Sequence, residues 1–184
     1  MQLALDHSTK TIATKLVITG SKSETNRLLL LQALYPQLTI ENASNSDDSI
    51  AMTKALESND ELKDIHHAGT AMRFLTAYFA TKKDSSIILT GSKRMQERPI
   101  GLLVDAMNSL GASITYDQKE GYPPLRINGK QLDGGEVSLP ANISSQYISA
   151  LLLIAPKLTK GLVIHLEEEI TSLPYIKMSL ALLE

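Results

Sequence analysis

The sequence predicts an α/β (α+β) chain built from one supersecondary unit used three times. The first observation behind this is a recurring order of parts. Residues 20–57 read "GSKSETNR", "LLLLQAL", "LTIENASNSDD", "SIAMTKALE"; residues 66–112 read "HHAGTAMR", "FLTAYFA", "SSIILTGSKRMQERP", "IGLLVDAMNSLGA". Residues 141–184 read "ANISSQYIS", "ALLLIAP", "LVIHLEEEITSLP", "YIKMSLALLE". Each is a polar entry, an apolar helix, a strand with a polar exit, and a second, more amphipathic helix. The second observation is the contrast in residue type within each unit. Leu and Ala dominate the first blocks, whereas "SIILT" and "LVIHL" are short and β-rich.

In chain order, "LLLLQAL" is apolar on nearly all sides, which predicts a helix buried all round. "LTI" predicts a strand, and "SDD" at Ser46–Asp48 predicts a cap for the helix that follows. The second unit repeats this order and continues into "SITYD" and "PLRING", two short strands joined by a longer turn. The first unit has no room for such a pair before His66, and the third reaches Glu184 before its pair. Pro99 in "ERPIG" is suited to the first position of a helix, and Glu167–Glu169 read as a solvated run.

Composition narrows the function. The chain has 184 residues, 43% hydrophobic and 21% charged, as expected of a globular fold with a sizeable core. The formal net charge of −2 provides no broad basic field for nucleic acid, so any anion site must be local. With no cysteine there are no disulfides, thiolate zinc sites or cysteine nucleophile, which suits a reducing, cytoplasmic setting. "MQLALDHSTK" lacks the pattern of a secretory signal, and no apolar run is long enough to span a membrane.

Each first helix begins just after small polar residues. A helix start exposes unpaired N–H groups and the positive end of the dipole, so it attracts anions. Lys22, Ser23 and Arg27 would add charge-assisted bonds to phosphate or carboxylate, and Ser144 and Ser145 add hydroxyls at the matching place in the third unit. Convergence of these ends on one face would suit a small molecule with two or more anionic groups. The plainer alternatives are that Ser23 or Thr25 caps the helix and that Arg27 lies on the surface of its first turn. "GSKS" alone is a weak phosphate signal and fails the Walker pattern, because Ser21 precedes the lysine. The adjacent His66 and His67 point different ways on any regular element, which argues against a metal pair.

The stretches "GSKSETNR", "SDD", "AGTAMR", "LTGSKRMQERPIG", "LVDAMNSLGA", "YPPLRI", "SSQYISALL" and "SLPYI" occur in one order along nearly the whole chain. In that order they resemble the 5-enolpyruvylshikimate-3-phosphate (EPSP) synthase family. A related family, UDP-N-acetylglucosamine enolpyruvyl transferase, usually carries a cysteine in the loop that here reads "GSKRMQERP". The resemblance implies a lobe of repeated βαβαββ units, helices inside and sheets outside. Its units fall at roughly 15–65, 66–135 and 136–184, the first and third incomplete, and a strand within residues 1–14 belongs to a second lobe. It implies transfer of the enolpyruvyl group of phosphoenolpyruvate to the 5-hydroxyl of shikimate-3-phosphate, releasing phosphate. No metal or organic cofactor takes part, and the whole enzyme, a glyphosate target, is expected to be a monomer.

Carried over by motif, Lys22 sits by the reacting hydroxyl and phosphoenolpyruvate, and Ser23 and Arg27 hold the shikimate carboxylate side. Ser144, Ser145 and Ser172 grip the 3-phosphate, Gln146 reaches the ring and the second substrate, and Tyr175 lies near the ring. Gly69, Thr70 and Arg98 fall to phosphoenolpyruvate, with Arg98 on its phosphate and Thr70 and Arg73 as support. The chain departs from the family at His66 and His67, where Gly-Asn is usual, and in the short stretch between Asp48 and His66. It covers less than half of the family's length, so the general base is expected in the second lobe; Asp47 and Asp48 are the best candidates here. The rival classes are an anion-binding module without chemistry and a structural domain whose repeats only build a core.

Overall fold

The structure, a computed structural model, describes residues 3–4 and 15–184, so the N-terminal strand expected within residues 1–14 lies outside its described part. Seven α-helices are described: α1 (Lys22–Leu34), α2 (Asp47–Glu57), α3 (Gly69–Thr81), α4 (Lys93–Gln96), α5 (Gly101–Ser109), α6 (Ser145–Ile154) and α7 (Leu173–Ala181), with one 3-10 turn at Ala155–Lys157. The strands are β1 (Leu62–Asp64), β2 (Ser86–Thr90), β3 (Ile114–Tyr116), β4 (Leu125–Asn128), β5 (Gly135–Pro140) and β6 (Leu162–Glu167).

The centre is α3. Every residue from Gly69 to Ala80 is buried, as a helix apolar on all sides requires. It packs against α6, α2, α1 and α5, and its remaining face meets β2 and β4. Phe74 is fully buried there; side chains of this size contribute about 1.5–3 kcal/mol each when removed from water. One sheet has the order β1-β2-β4-β3, with β1 parallel to β2 and the other pairs antiparallel. Along β2, Ile87 and Leu89 are buried while Ser86 is exposed, the alternation of a sheet covered on one face. The second sheet is the parallel pair β5-β6. Helices therefore lie inside the first sheet, as expected.

Three local expectations are corrected. Residues 38–40 form no strand: Leu38 is 40% exposed, and its N–H donates to the Tyr35 carbonyl instead of to a neighbouring strand. The first unit's strand is β1, whose "LKD" carries no β signature; Lys63 Nζ donates to the Ser58 carbonyl at 2.6 Å. Burial is all round for α3 but not for α1, where Leu28 and Leu29 remain partly exposed. Pro99 also lies outside a helix, since Ile100 is the N-cap of α5. Ser46 does cap α2, accepting from the Ser49 N–H, and the 167–169 run is exposed. Among the described residues no helix is long and apolar enough to cross a membrane.

Two crossovers position the site. β1–α3–β2 and β5–α6–β6 each join parallel strands through a helix, so α3 and α6 both begin beyond the carboxyl end of a strand. That is where open α/β layers bind ligands. The two starts are neighbours, because Gln146 Nε2 donates to Thr70 Oγ1 at 3.2 Å.

Candidate functional site

Four helix starts meet around one cleft of about 340 Å³. Helix α1 gives Lys22, Ser23 and Arg27, α3 gives Thr70, the start of α6 gives Ser144, Ser145 and Gln146, and the start of α7 gives Ser172 and Tyr175. The lining holds two cations, four serines and no carboxylate. Lys22 is half exposed, with Nζ 3.8 Å from Asp48 Oδ2.

The local chain explains each start. The N–H of Gly20 donates to the Asn42 carbonyl at 2.9 Å, and a Cβ there would sit 2.2 Å from that oxygen, so only glycine allows this approach. Ser21 is the N-cap of α1 and makes no side-chain capping bond. Ser23 and Thr25 do not cap either: Thr25 Oγ1 instead accepts from the Ser44 N–H at 3.0 Å. Ser144 caps α6 by accepting from the Gln146 N–H at 3.3 Å. Ser172 precedes α7 at φ 56°, a strained angle for a residue other than glycine, and makes no side-chain capping bond.

Arg27 is the residue whose environment the sequence showed least. It is only 2% exposed, not a surface residue. Nε donates to Ser179 Oγ at 2.8 Å, Nη1 to the Ser23 carbonyl at 2.7 Å, and Nη2 to Ser149 Oγ at 2.9 Å and the Tyr175 carbonyl at 3.3 Å. Of the five guanidinium donors, one on Nη1 remains for the cleft. Arg27 thus ties α1 to α6 and α7. Burial pulls its pKa below the usual arginine value, partly opposed by Tyr175. Among the described residues it forms no ion pair, so a buried cation faces a cleft without a counter-charge.

Arg98 and Gly69 do not line this cleft. Arg98 lines a second cavity of about 460 Å³ with His67, Arg94 and Met95. Its guanidinium lies over the start of α3, where a Cβ on Gly69 would come within 2.4 Å of Nη1. Gly69 and Thr70 are consecutive, so the two cavities flank the first turn of α3. Buried Arg73 braces this region: Nη1 donates to the Gly69 carbonyl at 3.0 Å and Nη2 to the Pro99 carbonyl at 3.3 Å. Tyr147, which sequence reasoning missed, donates to the same Pro99 carbonyl at 2.7 Å. Burial lowers the Arg73 pKa, and neighbouring Arg98 lowers it further while Tyr147 opposes. An arginine inside an otherwise apolar helix is the signal that such a brace exists, since buried charge must find partners. His66 and His67 bring their Nδ1 atoms together, and among the described residues no group of three or more His, Asp or Glu side chains could hold a metal.

The fold and the two cavities define an α/β lobe whose cations and hydroxyls gather at helix starts, where unpaired backbone N–H groups favour negative charge. The chain belongs to the EPSP synthase family: residues 55–184 match the family model described as EPSP synthase (3-phosphoshikimate 1-carboxyvinyltransferase). A Bacteroides fragilis (strain YCH46) protein named 3-phosphoshikimate 1-carboxyvinyltransferase is 50% identical over 166 residues, covering 90% of this chain and 40% of its own length. A Shewanella denitrificans protein of the same name is 42% identical over 194 residues, covering 90% and 45%. The solved EPSP synthase from Acinetobacter baumannii superposes with a TM-score of 0.70 at 19% identity, over 89% of this chain and 42% of that one; this likeness speaks for the fold. The chain spans 40–45% of the length of these curated relatives.

Proposed function

We propose that this chain supplies one lobe of an enzyme that transfers the enolpyruvyl group of phosphoenolpyruvate to the 5-hydroxyl of shikimate-3-phosphate, and that its first cleft is the shikimate-3-phosphate half-site. The observation that carries the proposal is the lining of that cleft: every residue assigned to shikimate-3-phosphate by motif borders it, and no carboxylate does. In the proposal Ser144, Ser145 and Ser172 donate to the 3-phosphate at the starts of α6 and α7. Ser23 and the free N–H of Arg27 take the carboxylate. Lys22 points its charge at the 5-hydroxyl, and Tyr175 packs along the ring.

The second cavity would then take the phosphate of phosphoenolpyruvate on Arg98, whose guanidinium occupies the space that Gly69 leaves open, with Gln146 bridging through Thr70. In the reaction the 5-oxygen adds to C2 of phosphoenolpyruvate as a proton goes to C3. The tetrahedral adduct then loses a proton from C3 and expels phosphate. Lys22 and Arg98 stabilise negative charge from one side only. The base for the hydroxyl and the acid for C3 would come from a second lobe outside these residues, as would the facing cations that exclude water. A cytoplasmic location and a monomeric whole enzyme are part of the same proposal.

The Ser144→Ala/Ser145→Ala double variant tests the phosphate assignment. Lost hydrogen bonds to a charged group should weaken shikimate-3-phosphate binding by about 1–3 kcal/mol in calorimetry. Because Ser144 also caps α6, melting is followed on the same protein; a lower melting point with unchanged affinity would reduce both serines to structural residues.

A further inference from the structure

We infer that the groove between α1 and α2 is a further small-molecule site, which takes a monocation with a short apolar body, of the arylalkylamine class.

The groove exists because the first unit is short. In the second unit the strands after α5 cover the helices, β3 packing on α5 and β4 on α3. In the first unit the chain passes from α2 to β1 across residues 58–61, so among the described residues no strand pair follows α2 before β1. The outer faces of α1 and α2 therefore stay bare. Between them lies a cavity of about 340 Å³, a size that suits a small molecule. Leu29, Ala33, Pro36 and Leu56 give it apolar walls. It shares no lining residue with the two cavities at the helix starts. Ala33 and Lys22 lie near opposite ends of α1, about 16 Å apart along its axis.

The polar groups of the groove select the charge. Tyr78, in the last turn of α3, borders the groove and is only 8% exposed. Among the described residues its hydroxyl makes no hydrogen bond, although buried polar groups as a rule have a partner. Burial pushes its pKa up, so the hydroxyl stays neutral and its oxygen can accept. Gln32 spends Nε2 on the Leu38 carbonyl at 2.8 Å, which leaves Oε1 as a second acceptor. Besides Tyr78, the ionisable side chain bordering the groove among the described residues is Glu57. Lys82, whose ammonium lies 6.0 Å from the centroid of the Tyr78 ring, borders a different cavity. An ammonium group thus meets a carboxylate and two neutral acceptors, while its apolar body meets the walls. An anion of the same shape meets the Glu57 carboxylate and no cation.

The test is an amide shift map of this chain titrated with 2-phenylethylammonium chloride. Sodium phenylacetate, with the same ring and the opposite charge, is the comparison. Saturable shifts with the amine should gather at Leu29, Gln32, Ala33, Leu56 and Tyr78, and phenylacetate should bind about tenfold more weakly or less. Glu57→Gln, at an exposed position, should weaken the amine about two- to fivefold, the range of an exposed ion pair. Tyr78→Phe keeps the ring and should weaken it about tenfold, the loss of one hydrogen bond to a charged group. Equal affinity for the two probes, no saturable shift at the groove, or unchanged affinity in both variants overturns the inference. Shifts at the same amides when the chain alone is diluted, with no saturable response to the amine, would make this face a contact between copies and overturn it as well.

Discussion

Arg27→Ala should lower folding stability by about 3–5 kcal/mol, the range for emptying a buried site of large volume, and remove saturable shikimate-3-phosphate binding. The guanidinium joins three helices through Ser149, Ser179 and the carbonyls of Ser23 and Tyr175. Alanine leaves a cavity and deprives buried acceptors of their donor, each worth about 1–3 kcal/mol when left unmade. Burying the charge has its own cost, visible in the lowered pKa, so part of the loss is returned. The cavity and the orphaned acceptors should outweigh that relief. Arg27→Lys keeps the charge but cannot reach four acceptors from one point, and should fall between the two. Urea unfolding and calorimetry on the same proteins measure both effects. A change within about 0.5 kcal/mol, as for surface substitutions, would remove the strut from the account.

Arg98→Ala should behave in the opposite way. Arg98 is exposed, and its backbone N–H keeps its bond to the Met95 carbonyl whatever the side chain, so melting should hardly move. In the whole enzyme, closed around phosphoenolpyruvate, loss of the cation should cost about 2–5 kcal/mol in affinity for that substrate, the scale for truncating one member of a desolvated charge pair. Affinity for shikimate-3-phosphate should be little changed, because Arg98 lines the other cavity. A rise in the Michaelis constant for phosphoenolpyruvate with unaltered melting supports the assignment. Lost stability with an unaltered constant would make Arg98 a turn residue.

The elements that were legible in the sequence are those whose signal is local. "FLTAYFA" reads as a helix from its apolar composition, and it became the buried centre of the lobe, whereas the burial on all sides expected of "LLLLQAL" is not met by α1. "SIILT", "LVIHL" and the pair after "LGA" became strands through β-rich composition and turns. Strand β1 was not legible, because a strand is defined by its partner. Leu62–Asp64 is recruited by β2, and Lys63 is tolerated because its ammonium finds the Ser58 carbonyl and the Phe79 ring. "LTI" at residues 38–40 has the better composition but no neighbour to pair with.

The same division holds for the candidate site. Motifs named the residues that border the first cleft, since small polar residues at helix starts leave a pattern in sequence. They did not reveal that Arg27 is mostly engaged by Ser149 and Ser179, because those partners lie 122 and 152 residues away. Nor did they reveal that Arg98 opens onto a separate cavity. That depends on how the 92–100 turn folds back over Gly69.

The most direct test of the central claim is an amide shift map of this chain titrated with shikimate-3-phosphate. Phosphate release is then assayed in the same sample after phosphoenolpyruvate is added. Saturable shifts should gather at Lys22, Ser23, Ser144–Gln146, Ser172 and Tyr175, with no phosphate released. One wall of the site provides two cations but neither the base nor the acid, groups that contribute about 10²–10⁴-fold each. Shifts that do not saturate, or that gather at Arg94 and Arg98 while the four helix starts stay silent, would contradict the claim that the first cleft is the shikimate-3-phosphate half-site.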